Sequence, residues 1–432
     1  MKFVLLVSLL ALIACDNYAV LVAGSNTWSN YRHQSDVFHA YQILIGRGMN
    51  PDNIIVFAYG DIADNPQNPF PGQVVNWPNG WDVYAGVHIN YWGDDVSPAN
   101  FIACLTGDAG SVSLVDDRSD GKVLTSTSND HVFIYFTDHG STDLIAFPNE
   151  YLYSDELNAA LQTMYDKQMY KELVFYLEAC ESGSMFSDGK LPDNINIYAT
   201  TAANPDESSW AEYCGSDAVC NGTNLETCLG DEYSVRWMED VDAHAGDDLK
   251  GYTMQQQYEY LVDAVTGSHV QQYGDLNIAQ ESLYYYLSDQ TGKLLKIVTQ
   301  IASLLFPPVE TRNLEERATK KIDNWEYRLE NLRLRAERHN DYETEKKYYE
   351  EVAEEGRTFV LFKLFDKKLG LTERRPEDKL DFDCYRAVVR SYADKCGLFI
   401  DRDFKYMKHI ANFCTKGISP KEADLAFSKI CQ

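Results

Sequence analysis

The chain is predicted to be an α/β protein with a mainly parallel sheet, joined to a separate all-helical C-terminal region. Three observations carry this. Short runs rich in β-branched and aromatic residues alternate with helix-length segments through residues 17–310, the pattern of strand–helix units whose functional side chains gather beyond the C-terminal ends of the strands. Beyond Pro307-Pro308 the texture changes to dense Glu, Lys and Arg with apolar residues every three or four positions, which is helical spacing. The charge divides at the same place: residues 311–432 hold 26 basic and 24 acidic residues, residues 1–310 hold 12 and 42, a contrast that argues for two domains. The net charge of −28 excludes a general binder of nucleic acid or anionic membrane, because phosphate is repelled over most of the surface.

Taken in order, Lys2 and the apolar run Phe3–Ala14 read as a signal peptide over 1–15, too short to span a bilayer. Leu12-Ile13-Ala14-Cys15 also fits a bacterial lipoprotein box, although a lipid there sits almost on the first core strand. The secretory route permits disulfides and makes Asn221-Gly222-Thr223 a glycosylation site at Asn221. Buried strands are expected at Tyr18–Ala23, Asn53–Ala58, His131–Phe136, Leu173–Leu177 and Ile195–Ala199, and helices at Ser35–Ile45 and Ser154–Met169. Asp61–Pro98, rich in Pro, Gly, Asn and Trp, reads as a long structured loop. Leu294–Val309 is broken by Lys296, Gln300 and two prolines, so no membrane anchor is expected. Over 313–355 the stripe Ile322, Trp325, Leu329, Leu332 and Ala336 predicts one long helix packed on a neighbour. Residues 358–432 continue the helical pattern with Cys384, Cys396, Cys414 and Cys431; four cysteines suggest two disulfides, and three connectivities are open. The resulting organisation is a signal peptide (1–15), an α/β domain (16–306), a linker (307–316) and a helical domain (317–432).

Two apolar strands end in reactive residues. His131–Phe136 runs into Thr137-Asp138-His139-Gly140, and Leu173–Leu177 into Glu178-Ala179-Cys180-Glu181-Ser182-Gly183. A thiol and an imidazole just past the C-terminal ends of two strands can form a nucleophile–base pair, with the backbone N–H groups of Gly140 and Cys180 holding an oxyanion. Alone, Cys180 reads as a buried structural thiol and His139 as a turn histidine; the paired strand ends favour chemistry. Neither Cys-x-x-Cys nor His-Glu-x-x-His occurs, so no metal or cofactor is expected.

These motifs, with Tyr18-Ala19-Val20-Leu21-Val22-Ala23-Gly24-Ser25, Asn30-Tyr31-Arg32-His33-Gln34 and Thr200-Thr201-Ala202-Ala203-Asn204-Pro205, resemble the legumain (asparaginyl endopeptidase) family, and the charged helices with four cysteines resemble its C-terminal prodomain. The resemblance implies a caspase-like α/β sandwich plus an all-α inhibitory prodomain, with death-domain-like helices. It implies Cys180 as nucleophile, His139 as general base and acid, and Asn30 as the residue orienting the histidine. Arg32, His33, Glu178, Ser208 and Asp231 match the specificity pocket, where carboxylates accept from an Asn amide and Arg32 donates to its oxygen. Ionised Asp is rejected there and protonated Asp tolerated, so cleavage after Asp is expected only in acid. Disulfides Cys384–Cys414, Cys396–Cys431 and, as in plant-type members, Cys214–Cys228 are implied, leaving Cys220 without a match and Cys104 a buried thiol. Asp138 matches the family residue preceding the histidine; some members ligate as well as cut. Arg118-Ser119-Asp120 stands where some members have Arg-Gly-Asp, so integrin binding is not supported.

The implied activity is a zymogen that cuts after Asn, is held latent by its own prodomain, and activates itself in acid by cleavage after Asn313. Opposite charge holds the two regions together at neutral pH and is lost as carboxylates protonate. Its partners are protein substrates with exposed Asn, the prodomain and cystatin-type inhibitors, in a lysosome, vacuole or gut lumen. The alternatives are a glycosylphosphatidylinositol transamidase-like catalytic subunit, disfavoured by the prodomain, and an inactive binding relative, disfavoured by the intact Cys180 and His139.

Overall fold

The computed structural model describes residues 15–246, 248–288, 320–339, 342–369, 379–397, 401–417 and 419–431. Residues 1–14 of the expected signal peptide, and the expected linker at 307–316 with Asn313, lie outside the described residues.

Six strands form the central sheet: β1 (Asn17–Ala23), β2 (Ile54–Phe57), β3 (His131–Thr137), β4 (Glu172–Glu178), β5 (Ile197–Thr201) and β6 (Gln271–Gly274). Their spatial order is β6-β5-β4-β3-β1-β2, all parallel except the edge strand β6, which sequence reading did not anticipate. Successive side chains point to opposite faces. Leu21, Phe133, Tyr135, Val174 and Tyr176 pack under the helices Tyr31–Gly46, Glu232–Ala243 and Met254–Ala264. Val22, Ile134, Phe136, Phe175 and Leu177 pack under Pro98–Leu105 and Ser154–Asp166. The result is a three-layer sandwich, the layer order that a buried parallel sheet requires.

Register decides the site. Ala23 pairs with Thr137, and Thr137 with Glu178, so three neighbouring strands finish flush and their following residues emerge side by side. β5 begins two residues later than expected because Asn196 adopts a left-handed conformation, φ 54°, which no strand accommodates. The first helix begins at Tyr31 rather than Ser35, which puts Arg32 and His33 in its first turn. The helix at Ser154 ends at Asp166, before Gln168 turns left-handed at φ 55°. Glu156 Oε2 accepts from the Tyr153 N–H at 3.2 Å and closes its start.

The C-terminal region corrects one expectation. The stripe from Ile322 to Ala336 is not a single helix. Ile322–Asp323 is a strand paired antiparallel with Trp210–Glu212, and helices run Tyr327–His339 and Tyr342–Leu369. Backbone pairing to a sheet edge withdraws Ile322 from helical geometry, and Trp325 falls in the turn that follows. Helices Phe382–Cys396, Met407–Cys414 and Pro420–Ile430 complete the region. Disulfides join Cys384 to Cys414, Cys396 to Cys431 and, in the α/β domain, Cys214 to Cys228. Cys104 and Cys220 are buried free thiols. Phe362, Tyr385, Phe404, Met407 and Phe427 share one core with Leu144, Ala146 and Tyr153 of the α/β domain, so the two regions are joined by apolar packing. Asn221 stands exposed at the tip of the hairpin Val219–Cys220/Thr223–Asn224. Among the described residues no helix is long and apolar enough to cross a membrane.

Candidate active site

His139 leaves the end of β3, and its Nε2 lies 3.0 Å from Asn30 Oδ1. Asn30 caps the helix Tyr31–Gly46, and its loop is tied down by Asp61, which accepts from the Thr27 N–H at 2.7 Å and from Gln34 Nε2 at 2.7 Å. Cys180 follows β4. A Cβ on Gly140 would come within 2.5 Å of the Cys180 carbonyl oxygen, so the two strand-end loops touch through a glycine that only hydrogen can fill. The Cys180 thiol is fully buried, accepts from the Ser209 N–H at 3.3 Å and lies 3.8 Å from Ser209 Oγ. Its hydrogen bonding is to Ser209 rather than to His139. Burial, then the Asp323 carboxylate, holds its pKa well above the usual thiol value, which keeps it protonated and a poor nucleophile.

Beside this pair lies a buried, highly charged pocket. Arg32, fully buried, donates from Nε to Asp231 Oδ1 at 3.0 Å and from Nη1 to the Ser29 carbonyl at 3.2 Å and Asn30 Oδ1 at 3.3 Å. His33 Nδ1 lies 2.6 Å from Ser25 Oγ and 3.2 Å from Asp138 Oδ1, its Nε2 3.4 Å from Asp231 Oδ2, and its ring stands edge-on to His139 at 5.0 Å. Burial, then the charge of Arg32, holds His33 well below the usual histidine pKa. Glu178 Oε2 accepts from the N–H and Oγ of Ser234, each at 3.0 Å.

A third carboxylate, which sequence reading missed, is Asp36. It accepts from Asn76 Nδ2 at 2.6 Å and from the Asp231 N–H at 3.0 Å. Burial, then repulsion from Asp231, pushes both Asp36 and Glu178 well above the carboxylate range; burial raises Asp231 as well, against the pull of Arg32. Asp36 and Glu178 each repel Asp231, and the three carboxyls cannot all be ionised in a medium of low dielectric.

The pocket is occupied by the chain itself. Asn324 Nδ2 donates to Asp231 Oδ1 and to Ser209 Oγ, both at 2.9 Å, and its N–H donates to the Ser209 carbonyl at 3.1 Å. The Asn324 side chain is buried, and its Oδ1 has no hydrogen-bond partner among the described residues. The expected donation from Arg32 to that oxygen is therefore not made here; Arg32 serves Asp231 and Asn30 instead. Ser208, expected in the pocket, bonds the Asp323 carboxyl. Sequence reading sought an Asn in the linker and stopped at Asn313. The overlooked signal was Ile322-Asp323-Asn324 itself, a short β-prone stretch just before a helix.

The C-terminal region closes the cleft. Phe404 stacks on His139 at 5.8 Å, Ser141 Oγ donates to the Phe404 carbonyl at 2.7 Å, Tyr385 Oη donates to the Thr142 carbonyl at 2.9 Å, and Trp325 Nε1 to the Gly140 carbonyl at 3.3 Å. Arg386 Nη2 sits 2.6 Å from Asp155 Oδ2, and Arg335 Nε 3.1 Å from Glu226 Oε2; in both pairs the cation is C-terminal and the anion belongs to the α/β domain. Glu181, beside Cys180, is buried, takes a hydrogen bond from Thr142 Oγ1, and is pushed up to about 8 by desolvation.

Among the described residues, two groups could hold a cation. In His33, Asp138 and His139 the His33 Nδ1 is already shared by Ser25 and Asp138. In His131, Glu172 and Glu281 the charge is supplied by Lys171, 2.9 Å from Glu172 Oε2.

Residues 17–290 match the peptidase C13 family model, and residues 346–431 match the legumain prodomain model. The chain is 38% identical to a legumain of Rattus norvegicus, covering 96% of this chain and 92% of that one, and 38% identical to a vacuolar-processing enzyme of Vicia sativa, covering 96% and 85%. Over 263 residues it is 51% identical to a legumain of Homo sapiens, covering 61% of this chain and 57% of that one. A caspase-1 structure from Spodoptera frugiperda superposes with a TM-score of 0.36 at 9% identity, over 64% of this chain and 92% of that one.

Proposed function

The chain belongs to the peptidase C13 family and carries the legumain prodomain, and from that premise we propose that this cysteine endopeptidase zymogen is self-inhibited by Asn324 and cuts peptide bonds after Asn. The observation that carries the reading is the Asn324 amide on Asp231 and Ser209, beside the buried Cys180.

In the open enzyme Cys180 is the nucleophile. His139, oriented by Asn30, removes the thiol proton and returns it to the leaving amine, and the N–H groups of Gly140 and Cys180 take the oxyanion. Asp231 accepts from the P1 amide, and Arg32 and Glu178 complete the pocket. The closed state withholds this chemistry: Phe404 covers His139, and the thiol stays protonated under the Asp323 carboxylate. Acid favours opening because it strips charge from the carboxylates that pair with C-terminal cations. Processing then follows Asn324, with Asn313 as a second site, in an acidic compartment of the secretory route. Two roles remain expectations of this reading: Asp138 in ligation and Asn221 as a glycan site.

The test is acid incubation followed by mass spectrometry of the new termini. The wild type should end at Asn324 and cleave Asn peptides. Cys180→Ala should stay intact, and Asn324→Gln should lose that terminus while retaining any cut at Asn313. Unchanged processing in Cys180→Ala would mean that another protease, or another residue, does the work.

A further inference from the structure

Counting back from Asn324, the residues at the second, third and fourth positions before the bond are Asp323, Ile322 and Lys321. The third sits in an apolar seat made by Ala211, the Cys214–Cys228 disulfide and Tyr327. The fourth meets a charged one. Lys321 Nζ pairs with Glu232 Oε1 and donates to Thr266 Oγ1 at 2.8 Å.

Glu232 is built for this contact. Only 1% of it is exposed, at the first position of the helix Glu232–Ala243. Its Oε1 accepts from the Thr266 N–H at 2.7 Å, and its Oε2 from the Gly267 N–H at 3.0 Å. A Cβ on Gly267 would lie 2.6 Å from Glu232 Oε2 and 2.5 Å from the Trp210 ring, so the seat exists only because that position is glycine. Two fixed N–H donors hold the carboxylate in place at the helix start. Arg236, one turn further on, is engaged by Glu212 and by Glu239, the latter at 2.9 Å, which leaves Glu232 for a cation arriving from outside. Lys321 is 21% exposed at its side chain, so its seat opens toward solvent.

We propose that Glu232, with Thr266 and Gly267, forms a subsite selecting Lys or Arg at the fourth residue before the cleaved bond, and that Lys321 occupies it in the zymogen. The proposal rests on reading Asn324 as the residue before that bond. A substrate carrying a basic side chain four residues before the bond places its ammonium or guanidinium against Glu232. An acidic side chain there brings two carboxylates together, and a neutral one leaves Glu232 without a cation.

The experiment uses acid-activated enzyme and matched fluorogenic tetrapeptides Lys-Ile-Ala-Asn, Met-Ile-Ala-Asn and Glu-Ile-Ala-Asn, with Lys-Ile-Ala-Ala as the control. Cleavage of the Lys peptide should exceed that of the Met peptide about tenfold in kcat/KM at low salt, chiefly through KM, with the Glu peptide lower again. The preference should shrink as salt is added. In Glu232→Gln the Lys-to-Met ratio should fall to within about twofold of unity, and in Glu232→Lys the Glu peptide should overtake the Lys peptide. If the wild type cleaves all three Asn peptides equally and leaves the Ala control intact, the subsite is wrong and the preference for Asn stands. If no Asn peptide is cleaved, the reading of Asn324 fails, and the subsite with it.

Discussion

Asp231 carries two loads at once: it neutralises the buried Arg32 and accepts from the amide in the pocket, both through Oδ1. Replacing it with Asn keeps the shape but strands a guanidinium in a dry site and removes a charged acceptor. Asp231→Asn should therefore lower stability by about 3 kcal/mol and reduce kcat/KM for Asn peptides by about 10- to 100-fold. Because the pocket's negative charge is what repels an ionised P1 Asp, the ratio of Asn to Asp cleavage at neutral pH should also fall. Paired peptides assayed across pH measure this, and an unchanged ratio would remove Asp231 from the specificity pocket.

Among the elements, the helix Phe382–Cys396 is a docking clamp. It delivers Arg386 to the first turn of Ser154–Asp166, where Nη2 meets both Asp155 oxygens at 2.6 and 2.7 Å, Nε lies 3.3 Å from Glu156 Oε1, and the guanidinium lies over Tyr153 at 4.9 Å. The pair is partly solvated, so its contribution is modest, about 1 kcal/mol including the ring contact. Under the proposed acid release, that amount shifts the balance between docked and released states about fivefold. Arg386→Ala should release the region at a higher pH than the wild type does. Gel filtration of the acid-cleaved protein over a pH series reads the shift, and identical release curves would make the clamp irrelevant. The apolar half of the same contact, Tyr385 and Phe404 against Leu144 and Tyr153, is insensitive to pH, so opening is expected to be graded rather than abrupt.

For the whole molecule, the buried carboxyls set the sign of pH dependence. Asp36, Glu178, Asp231 and Glu181 all have folded-state pKa values above the free ones, so the folded protein binds these protons more tightly than the unfolded chain. Their stabilisation is complete below the free carboxylate range and is lost as pH rises toward the raised values, about 8 for Glu181. Glu172 runs the other way. Its bond to His131, ahead of that to Lys171, lowers it to about 2, so its contribution is present above the free value and lost as pH falls toward 2. The melting temperature should accordingly peak in mild acid and decline by about 3–10 °C on going to neutral pH. Scanning fluorimetry across pH tests it, with Glu178→Gln expected to flatten the decline; a profile rising toward neutral pH would reverse the assignment. Glu181 and Asp323, both raised by burial in the closed state, favour that state in acid, so acid release must come from the peripheral ion pairs.

The residue types at the ends of β3 and β4, the cysteines of the C-terminal region and the charge contrast between the two regions could all be read without coordinates. Strand–helix alternation and local motifs are written in neighbouring residues, and family motifs label Cys180, His139, Asn30 and Asp231 one by one. What lay beyond that reading depends on contacts between distant segments. Hydrophobic spacing alone made Ile322 and Trp325 part of a helix, because the sheet edge at Trp210–Glu212 that captures Ile322 lies more than a hundred residues away. Asn324 rather than Asn313 entered view as the pocket's occupant for the same reason, since a cleavage motif is short while its seat is assembled from Ser209 and Asp231. Asp36 carried no signal beyond its place in the helix expected at Ser35–Ile45; packing put it on the Asp231 backbone. Glu232 became a cation seat only where a glycine loop, residues 266–267, closes over it. Local sequence sets which side chains are available; burial and long-range register decide which of them meet, because the free energy of a charge depends on what surrounds it rather than on its neighbours along the chain.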